Sequence, residues 1–256
     1  MTEGTPDIDV DYLCGTAREA GRAIMEVYSS EFAVEYKSDN SPLTLADKRS
    51  SALIEAALLK MYPDIPVISE EGEPVPYETR RGWRRFWLVD PLDGTKEFVK
   101  RGGDFTVNIA LVDDGRPVIG VIYAPVPDLI YYALKGWGAW KEDHDFPQGM
   151  IHTKKKPEGE GFTVVHSRSH PSKKLEDFLA TVPVKTRLLA GSSLKFCMVA
   201  EGTADFYPRL GPTSEWDTAA GQCIVEEAGG SVLDLNGAPL GYNKPDLLNE
   251  GFMVYG

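Results

Sequence analysis

The run Trp87-Leu88-Val89-Asp90-Pro91-Leu92-Asp93-Gly94-Thr95 is an apolar segment that ends in an acid, turns through proline and presents a second acid. We predict a buried strand over Phe86 to Asp90, followed by a turn. This turn aims the carboxylates of Asp90 and Asp93 at one point. With the Leu92 carbonyl they supply oxygen ligands, which hard cations such as Mg²⁺ prefer.

The residues that follow the turn extend this prediction. Gly94 lets the backbone approach a ligand closely, and we expect a helix from about Thr95. Its free N–H groups and positive dipole end would face the same point and favour a phosphate. Asp93 has an alternative interpretation as the N-cap of this helix.

Two other segments present acids in a similar way. Glu70 follows the apolar run that begins at Val67, and Asp217 stands at the start of a predicted helix. Four carboxylates in one pocket would repel each other strongly unless protonated or neutralised by metal, and metal is the simpler answer. Taken singly, Glu70 could be a solvated loop acid, Asp217 a helix cap, and Asp47 part of a capping box with Thr44.

Composition limits the classes of function. The 256 residues carry a formal charge of −12, which argues against binding to a nucleic acid polymer or to an anionic membrane surface. No apolar run approaches the roughly 18 residues of a membrane span, and the first residues lack a signal-peptide pattern, so we expect a cytoplasmic protein without integral membrane association. The odd number of cysteines, Cys14, Cys197 and Cys223, favours reduced packing residues over disulfides.

The order of predicted elements changes along the chain. The first part combines helices with short strands and suggests a mainly antiparallel sheet built on helices, whereas the last part alternates strands and helices as an α/β unit. The aperiodic stretch from Lys141 to Gly161 is the predicted boundary, which gives an N-terminal α+β subdomain over 1–150 and a C-terminal α/β subdomain over 151–256. Predicted helices are Val10 to Tyr28, Leu45 to Met61, Ser172 to Ala180, Ser193 to Glu201 and Thr218 to Ala228. Predicted strands are Ile65 to Ser69, Phe86 to Asp90, Phe105 to Val112, Val118 to Tyr123, Leu129 to Leu134, Phe162 to His166, Ala204 to Tyr207 and Ser231 to Leu235.

Three motifs carry a resemblance to a known family. Asp90-Pro91-Leu92-Asp93-Gly94-Thr95, Ser69-Glu70-Glu71 and Trp216-Asp217-Thr218-Ala219-Ala220-Gly221 resemble the signatures of the inositol monophosphatase superfamily of lithium-sensitive, Mg²⁺-dependent phosphatases. The continuation Lys96 to Arg101 and the segment Gly191 to Cys197 are similar to its 3′(2′),5′-bisphosphate nucleotidase branch. The likeness covers nearly the whole chain.

The resemblance implies an α+β fold of five layers, αβαβα. It also implies hydrolysis of adenosine 3′,5′-bisphosphate to AMP, with the 3′-phosphate of the activated sulfate donor as a further candidate, in the setting of sulfur assimilation. Two or three Mg²⁺ ions are the implied cofactors. By the resemblance Asp90 is shared between metals, Glu70 and the Leu92 carbonyl complete one site, and Asp93 with Asp217 completes another.

The resemblance also assigns the attacking water and the substrate. Asp47 and Thr95 match the pair that orients this water, and the chemistry leaves Glu70 and the Thr95/Asp47 pair unranked as its activator. A basic residue should contact the second phosphate of the substrate. Two interpretations are open for Lys96, Lys100 and Arg101, which could form a basic rim that attracts the nucleotide or a solvated helix face. The expected substrate-binding residues are Gly94, Thr95, Arg168, His170, Ser192, Lys195 and Asp217. For Lys195 at a helix start and His170 in a loop, an ordinary surface position is the alternative.

Several alternatives remain open from the residues alone. An inositol or other sugar monophosphatase would share the metal motifs, and a nucleotide sensor would keep the pocket without turnover. A hydrolase with a serine or histidine nucleophile is disfavoured, because the sequence has no nucleophile elbow and its histidines cluster in one quarter of the chain. We expect a small nucleotide as the partner and a monomer or homodimer.

Overall fold

A computed structural model describes residues 8–37, 42–143, 148–155, 159–168 and 172–256. The helices of these ranges are α1 (Val10–Tyr28), α2 (Leu45–Met61), α3 (Tyr77–Arg80), α4 (Thr95–Val99), α5 (Lys173–Leu179), α6 (Leu194–Ala200) and α7 (Glu215–Glu227). Strands of the first half are β1 (Val34–Tyr36), β2 (Pro42–Thr44), β3 (Val67–Ser69), β4 (Arg85–Asp93), β5 (Thr106–Asp113), β6 (Arg116–Ala124), β7 (Leu129–Leu134), β8 (Gly138–Glu142) and β9 (Gly149–Ile151). Strands of the second half are β10 (Phe162–Ser167), β11 (Val184–Ala190), β12 (Phe206–Arg209), β13 (Thr213–Ser214), β14 (Ser231–Asp234), β15 (Leu248–Asn249) and β16 (Phe252–Tyr255).

The two long N-terminal helices have the predicted bounds, and each is capped by a side chain. In α1 the Asp9 carboxylate accepts from the Tyr12 N–H, and the apolar face is buried. In α2 the Thr44 and Asp47 side chains form a capping box. Each cap satisfies backbone N–H groups that the helix leaves without partners, which fixes where the helix begins.

The larger sheet has seven strands in the order β3-β4-β5-β6-β7-β8-β9. The β3–β4 pair is parallel and the other neighbours are antiparallel, which confirms a mainly antiparallel sheet. The central strands β4, β5 and β6 are buried almost throughout. They therefore form continuous apolar runs because both faces of the sheet are covered.

The smaller sheet has five strands in the order β11-β10-β12-β16-β14. Strand β10 lies parallel to β11 and β12, and β16 is antiparallel to β12 and β14. Helix α5 packs on one face through Leu175 and Leu179, against Val164 and Phe206 of the sheet.

The layers follow from these contacts. Helices α1 and α2 cover one face of the larger sheet. Helices α6 and α7 lie between the two sheets and bury the largest apolar cluster, and α5 covers the far face of the smaller sheet. The order is thus helices, sheet, helices, sheet, helix, and the predicted αβαβα fold class is confirmed.

Several local predictions were wrong. The stretch 141–161 is not aperiodic throughout, since it holds the end of β8 and all of β9. The turn predicted after Asp90 was wrong, because β4 continues to Asp93 through a shift in its register with β5. Strands β1, β2, β11, β13, β15 and β16 were not predicted, and α7 begins at Glu215 rather than Thr218. The division into 1–150 and 151–256 stays a prediction. Helix α7 of the second part packs against β4 to β8 of the larger sheet, so the two parts share a core.

The three cysteines are free and buried, as predicted. Within the described ranges, no helix combines the length and the apolar character needed to cross a bilayer.

Candidate active site

Three carboxylates from separate elements meet at one end of the larger sheet. Glu70, Asp90 and Asp217 each offer an oxygen, and these oxygens all lie within 4.8 Å of one another. Glu70 directly follows β3, and its N–H donates to the Val89 carbonyl at 3.1 Å. The parallel pairing of β3 with β4 therefore places Glu70 beside Asp90, while the first turn of α7 supplies Asp217.

The electrostatics of this cluster favour a bound cation. Burial, reinforced by the charges of Glu70, Asp93 and Asp217, raises the pKa of Asp90 well above its ordinary value. Burial also raises the pKa of Asp217, with Asp93 and Glu70 as the next causes. Because like charges this close repel unless neutralised, and because all donors are oxygens, the residues fit a hard divalent cation.

Glu70 has a second partner that the sequence did not indicate. The Lys37 ammonium lies 2.8 Å from Glu70 Oε1 and 2.5 Å from Glu71 Oε1. Burial lowers the pKa of Lys37, but the two carboxylates outweigh it and the net shift is upward. Lys37 therefore stays charged beside the cluster.

Asp93 lies in the same cleft but outside the group of three. The register of β4 against β5 shifts between Asp90 and Asp93, which displaces the second acid from the first. Asp93 Oδ2 accepts from Ser192 Oγ at 2.6 Å. Since Gly94 is the N-cap residue of α4, the alternative that Asp93 caps this helix was wrong.

The capping alternatives for the other acids have different outcomes. Asp217 is the third residue of α7, and its Oδ2 accepts from the Ser214 N–H at 2.8 Å. It therefore assists the cap from inside the helix and is not the N-cap. The capping box of Asp47 with Thr44 is confirmed.

Asp47 combines this cap with a contact in the cleft. Its Oδ2 accepts from the Thr44 N–H and Oγ1, both at 2.7 Å. Its Oδ1 accepts from Thr95 Oγ1 at 3.1 Å, and the same hydroxyl lies 3.2 Å from the Leu92 carbonyl oxygen. Burial raises the pKa of Asp47, although these hydrogen bonds oppose the shift.

Gly94 is required by its surroundings. Its φ of +91° is strained for other residues, and an added Cβ would lie 3.0 Å from the Asp104 carbonyl oxygen. Helix α4 begins at Thr95 as predicted but spans only five residues. Because it has little more than one turn, its dipole is small and adds little to the attraction for a phosphate.

The cleft above these acids has a volume of about 230 Å³. Lys195 lies in its wall with only 5% of its surface exposed. Its ammonium donates to the Ser192 carbonyl and lies 5.3 Å from the centre of the Tyr207 ring. Burial, partly opposed by Asp93, lowers the pKa of Lys195 to about 8. The residues that line the cleft are Pro42, Glu70, Leu92, Asp93, Gly94, Thr95, Lys96, Glu97, Ser167, Ser192, Ser193, Lys195, Phe196, Tyr207, Arg209, Thr213, Asp217, Thr218 and Phe252.

Arg209 is a cleft residue that the sequence reasoning missed. Its Nη2 donates to the Pro212 carbonyl at 3.1 Å, while its Nε is buried without a partner among the described residues. The available signal was its position at the end of β12, eight residues before Asp217. A basic residue at a strand end near a predicted acidic cluster is a candidate for an anion contact.

Other predicted contacts lie elsewhere. The Arg168 guanidinium pairs with Asp104 at 3.0 Å and is outside the cleft lining. Arg101 lies over the rings of Tyr28 and Phe32 and also stands outside that lining, whereas Lys96 is part of it. His170 falls outside the described residues.

Comparison with known proteins gives one consistent result. The model of the Inositol monophosphatase family matches residues 8–253. The 3′(2′),5′-bisphosphate nucleotidase CysQ of Salmonella typhimurium is 48% identical over 248 residues, which cover 96% of this chain and 98% of that relative. The CysQ of Haemophilus influenzae is 34% identical, with 94% and 90% covered.

Solved structures agree with the sequence relatives. The crystal structure of CysQ from Bacteroides thetaiotaomicron, a bacterial member of the inositol monophosphatase family, superposes with a TM-score of 0.86 at 40% identity, over 98% of this chain and 99% of that one. Inositol monophosphatase from Anabaena gives a TM-score of 0.73 at 25% identity, with 96% and 88% covered. This chain belongs to the inositol monophosphatase family.

Proposed function

We propose that this chain is a phosphoric monoester hydrolase, a 3′(2′),5′-bisphosphate nucleotidase that converts adenosine 3′,5′-bisphosphate into AMP and phosphate. The observation that carries the proposal is the cluster of Glu70, Asp90 and Asp217 at a cleft whose lining includes Glu70, Asp217 and basic side chains. Nearly full-length identity of 48% to curated nucleotidases supports the choice of substrate. The activated sulfate donor, whose 3′-phosphate would be removed by the same chemistry, is a second proposed substrate.

The proposed cofactor is Mg²⁺, as two or three ions. Carboxylates of Glu70, Asp90, Asp93 and Asp217, with the Leu92 carbonyl, would hold them. Bound Mg²⁺ supplies Lewis-acid stabilisation of charge on the phosphate and lowers the pKa of water.

Thr95 and Asp47 are the proposed pair that positions the attacking water. The Thr95 hydroxyl donates a hydrogen bond to Asp47 Oδ1. Its oxygen can therefore accept a hydrogen bond from the water. As the water oxygen bonds to phosphorus, the water loses one proton toward the Thr95/Asp47 pair, the bond from phosphorus to the 3′-oxygen breaks, and that oxygen takes up one proton from solvent, so the protons balance. Glu70 is the alternative group for water activation, since it also lines the cleft.

Basic side chains in the cleft favour a substrate with a second phosphate. Lys195 and Arg209 line the same cleft as the carboxylates, and the buried Arg209 Nε has no partner within the described residues. Cationic side chains in the wall of a cleft are suited to an anionic ligand. Gly94, Thr95, Ser192 and Asp217 are proposed to face the nucleotide with them, while Arg168 and His170 stay predictions.

The proposal has a direct test. Phosphate release is measured from adenosine 3′,5′-bisphosphate and from inositol 1-phosphate, each with Mg²⁺ and with chelator. We expect Mg²⁺-dependent turnover that strongly prefers the nucleotide. A preference for inositol 1-phosphate would overturn the substrate and keep the metal site, and no release from either would favour a nucleotide sensor.

Two further expectations rest on the same proposal. Inhibition by Li⁺ at a Mg²⁺ position is expected from the family, and turnover unchanged by millimolar Li⁺ would count against the proposed metal chemistry. We also propose that the enzyme works in the cytoplasm, where sulfur assimilation would supply its nucleotide substrate, and that it is a monomer or homodimer.

A further inference from the structure

A buried cluster of hydroxyls lies beneath Asp93. Thr106 stands opposite Asp93 in the register of β5 with β4, and its side chain is fully buried. Its hydroxyl is in hydrogen-bond contact with Ser192 Oγ and lies 2.7 Å from Ser193 Oγ. Both Thr106 Oγ1 and Ser193 Oγ contact the Asn108 carboxamide, at 3.0 Å and 2.7 Å.

The number of protons available determines which group donates each hydrogen bond in this cluster. Each hydroxyl has one proton, and an ionised carboxylate can only accept. The Ser192 proton therefore goes to Asp93 Oδ2, at 2.6 Å. The proton between Ser192 and Thr106 must then come from Thr106.

The same counting decides which end of the Asn108 carboxamide faces the hydroxyls. With its proton given to Ser192, Thr106 is an acceptor toward Asn108, so the amide NH₂ must be the donor. The two ends of a carboxamide have the same shape, and hydrogen bonding decides between them. The structure places Asn108 Oδ1 toward both hydroxyls, which leaves the Asn108 NH₂ buried with no partner among the described residues. Turning the carboxamide so that its NH₂ faces Thr106 and Ser193 gives this donor two acceptors.

We infer that Thr106 and Asn108 are positioning residues that orient Asp93 through Ser192, in a hydrogen-bond chain that runs from Asn108 through Thr106 and Ser192 to the Asp93 carboxylate. This inference rests on one part of the proposed function, namely that Asp93 is a Mg²⁺ ligand, and not on the identity of the substrate. Partners of metal ligands fix the orientation of the ligand, and their loss typically weakens metal binding about 10- to 100-fold.

The chain also joins the two halves of the cleft. Asp93 and Thr106 belong to the larger sheet, whereas Ser192 lies in the turn between β11 and α6. Ser192 has a positive φ of 52°, which costs free energy for a residue with a side chain. Hydrogen bonds to both Asp93 and Thr106 offset this cost and hold the turn that leads to Lys195.

The test compares two buried threonines. Thr106→Val keeps the shape and removes the hydroxyl, Thr106→Ser keeps the hydroxyl, and Thr16→Val makes the same change in α1, where the hydroxyl donates to the Tyr12 carbonyl. Mg²⁺ affinity is measured by calorimetry without substrate, beside kcat and KM for the nucleotide. We expect about ten-fold weaker Mg²⁺ binding for Thr106→Val, and values within about two-fold of the unchanged protein for Thr106→Ser and Thr16→Val.

A double-mutant cycle separates positioning from general damage. Ser192→Ala removes the last link of the chain, so combining it with Thr106→Val should weaken Mg²⁺ binding no further than the more affected single variant. Additive losses, or Mg²⁺ affinity within about two-fold of the unchanged protein for Ser192→Ala, would overturn the inference. If Thr106→Val does not fold, Ser192→Ala alone carries this test. Because the calorimetry needs no turnover, an unchanged protein that binds Mg²⁺ but does not hydrolyse the nucleotide would overturn the proposed function and leave the inference standing.

Discussion

Asp47 and Thr95 are 48 residues apart in sequence and meet through Asp47 Oδ1 and Thr95 Oγ1, 3.1 Å apart. The other oxygen of Asp47 closes the cap of α2. One carboxylate thus anchors a helix and orients a hydroxyl in the cleft. A change at Asp47 would disturb both roles, so Thr95 is the better position at which to test the second.

Thr95→Ala should lower kcat for the nucleotide by about 10²- to 10⁴-fold, the range typical of general acid–base catalysis. The free energy of unfolding should change by less than about 1 kcal/mol, because the α2 cap is intact. Steady-state kinetics and urea unfolding measure the two quantities. Thr95→Ser keeps the hydroxyl and should retain most of the activity, whereas kcat of Thr95→Ala within about three-fold of the unchanged protein would refute the role.

The crowded carboxylates predict an unusual dependence of stability on pH. Burial and like charges raise the folded-state pKa of Asp90 and of Asp217 above the ordinary value of 3.8. For acids with a raised folded pKa, the contribution to stability is complete below the unfolded pKa and is lost as the pH rises through the folded value. With chelator, the free energy of unfolding should therefore fall from about pH 4 toward neutrality, and added Mg²⁺ should restore it. A flat profile with chelator would contradict this explanation.

Asp90→Asn removes one of these charges at a position only 1% exposed. We expect turnover to fall at least about 100-fold, because a proposed shared ligand is lost. With chelator at neutral pH the variant should be more stable than the unchanged protein by on the order of 1 kcal/mol or more, because a raised folded pKa destabilises the ionised carboxylate. Asp205→Asn is a matched control, since Asp205 is buried outside the cleft and its change should leave Mg²⁺-dependent turnover intact. Near-normal turnover of Asp90→Asn would refute the metal assignment.

The sequence predicted those parts of the fold and cleft that depend on local pattern. Helices α1 and α2 and strand β7 have the predicted bounds because apolar periodicity and capping residues mark them. The acids Asp90 and Asp93 were found because an apolar run leads into two acids three residues apart, although β4 continues to Asp93 where a turn was predicted. The closeness of Asp90 to Glu70 follows from the parallel pairing of β3 with β4, because Glu70 directly follows β3.

The contacts that the sequence did not predict join distant segments. Strand β11, Val184–Ala190, has mostly exposed or half-buried side chains and so lacks an apolar signature. The Thr106–Ser192 contact spans 86 residues, and the Lys37–Glu70 pair spans 33. Such pairings depend on how the two sheets pack, which local periodicity does not encode.

The lowered pKa of Lys195 predicts a second effect of pH, this time on substrate binding. Its pKa is lowered to about 8 by burial, so the ammonium that would contact a substrate phosphate is lost as the pH rises through about 8. KM for the nucleotide should therefore increase over this range. Lys195→Met should raise KM about ten-fold at neutral pH, equivalent to about 1.4 kcal/mol for a charged hydrogen bond, and should remove this part of the pH dependence.

The control for Lys195 is Lys141→Met. Lys141 pairs with Glu201 and lies over the Tyr131 ring, outside the cleft lining, so its loss should leave KM unchanged. Kinetics of the three proteins from about pH 7 to about pH 9 decide the question. If the ratio of KM between Lys195→Met and the unchanged protein does not shrink as the pH rises, Lys195 does not contact the substrate as an ammonium.

Lys37 holds a positive charge 2.8 Å from Glu70 Oε1, where a cation would also use that carboxylate. Its charge opposes a second cation at the cluster and takes up part of the Glu70 donor capacity. Lys37→Met should therefore tighten Mg²⁺ binding by about three-fold, within the range of partly exposed ion pairs. Calorimetric titration with Mg²⁺ measures the change. Lys48→Met is the matched control, because Lys48 pairs with Glu35 at the surface and its loss should leave Mg²⁺ affinity unaltered; weaker binding by Lys37→Met would show instead that Lys37 supports the carboxylate arrangement.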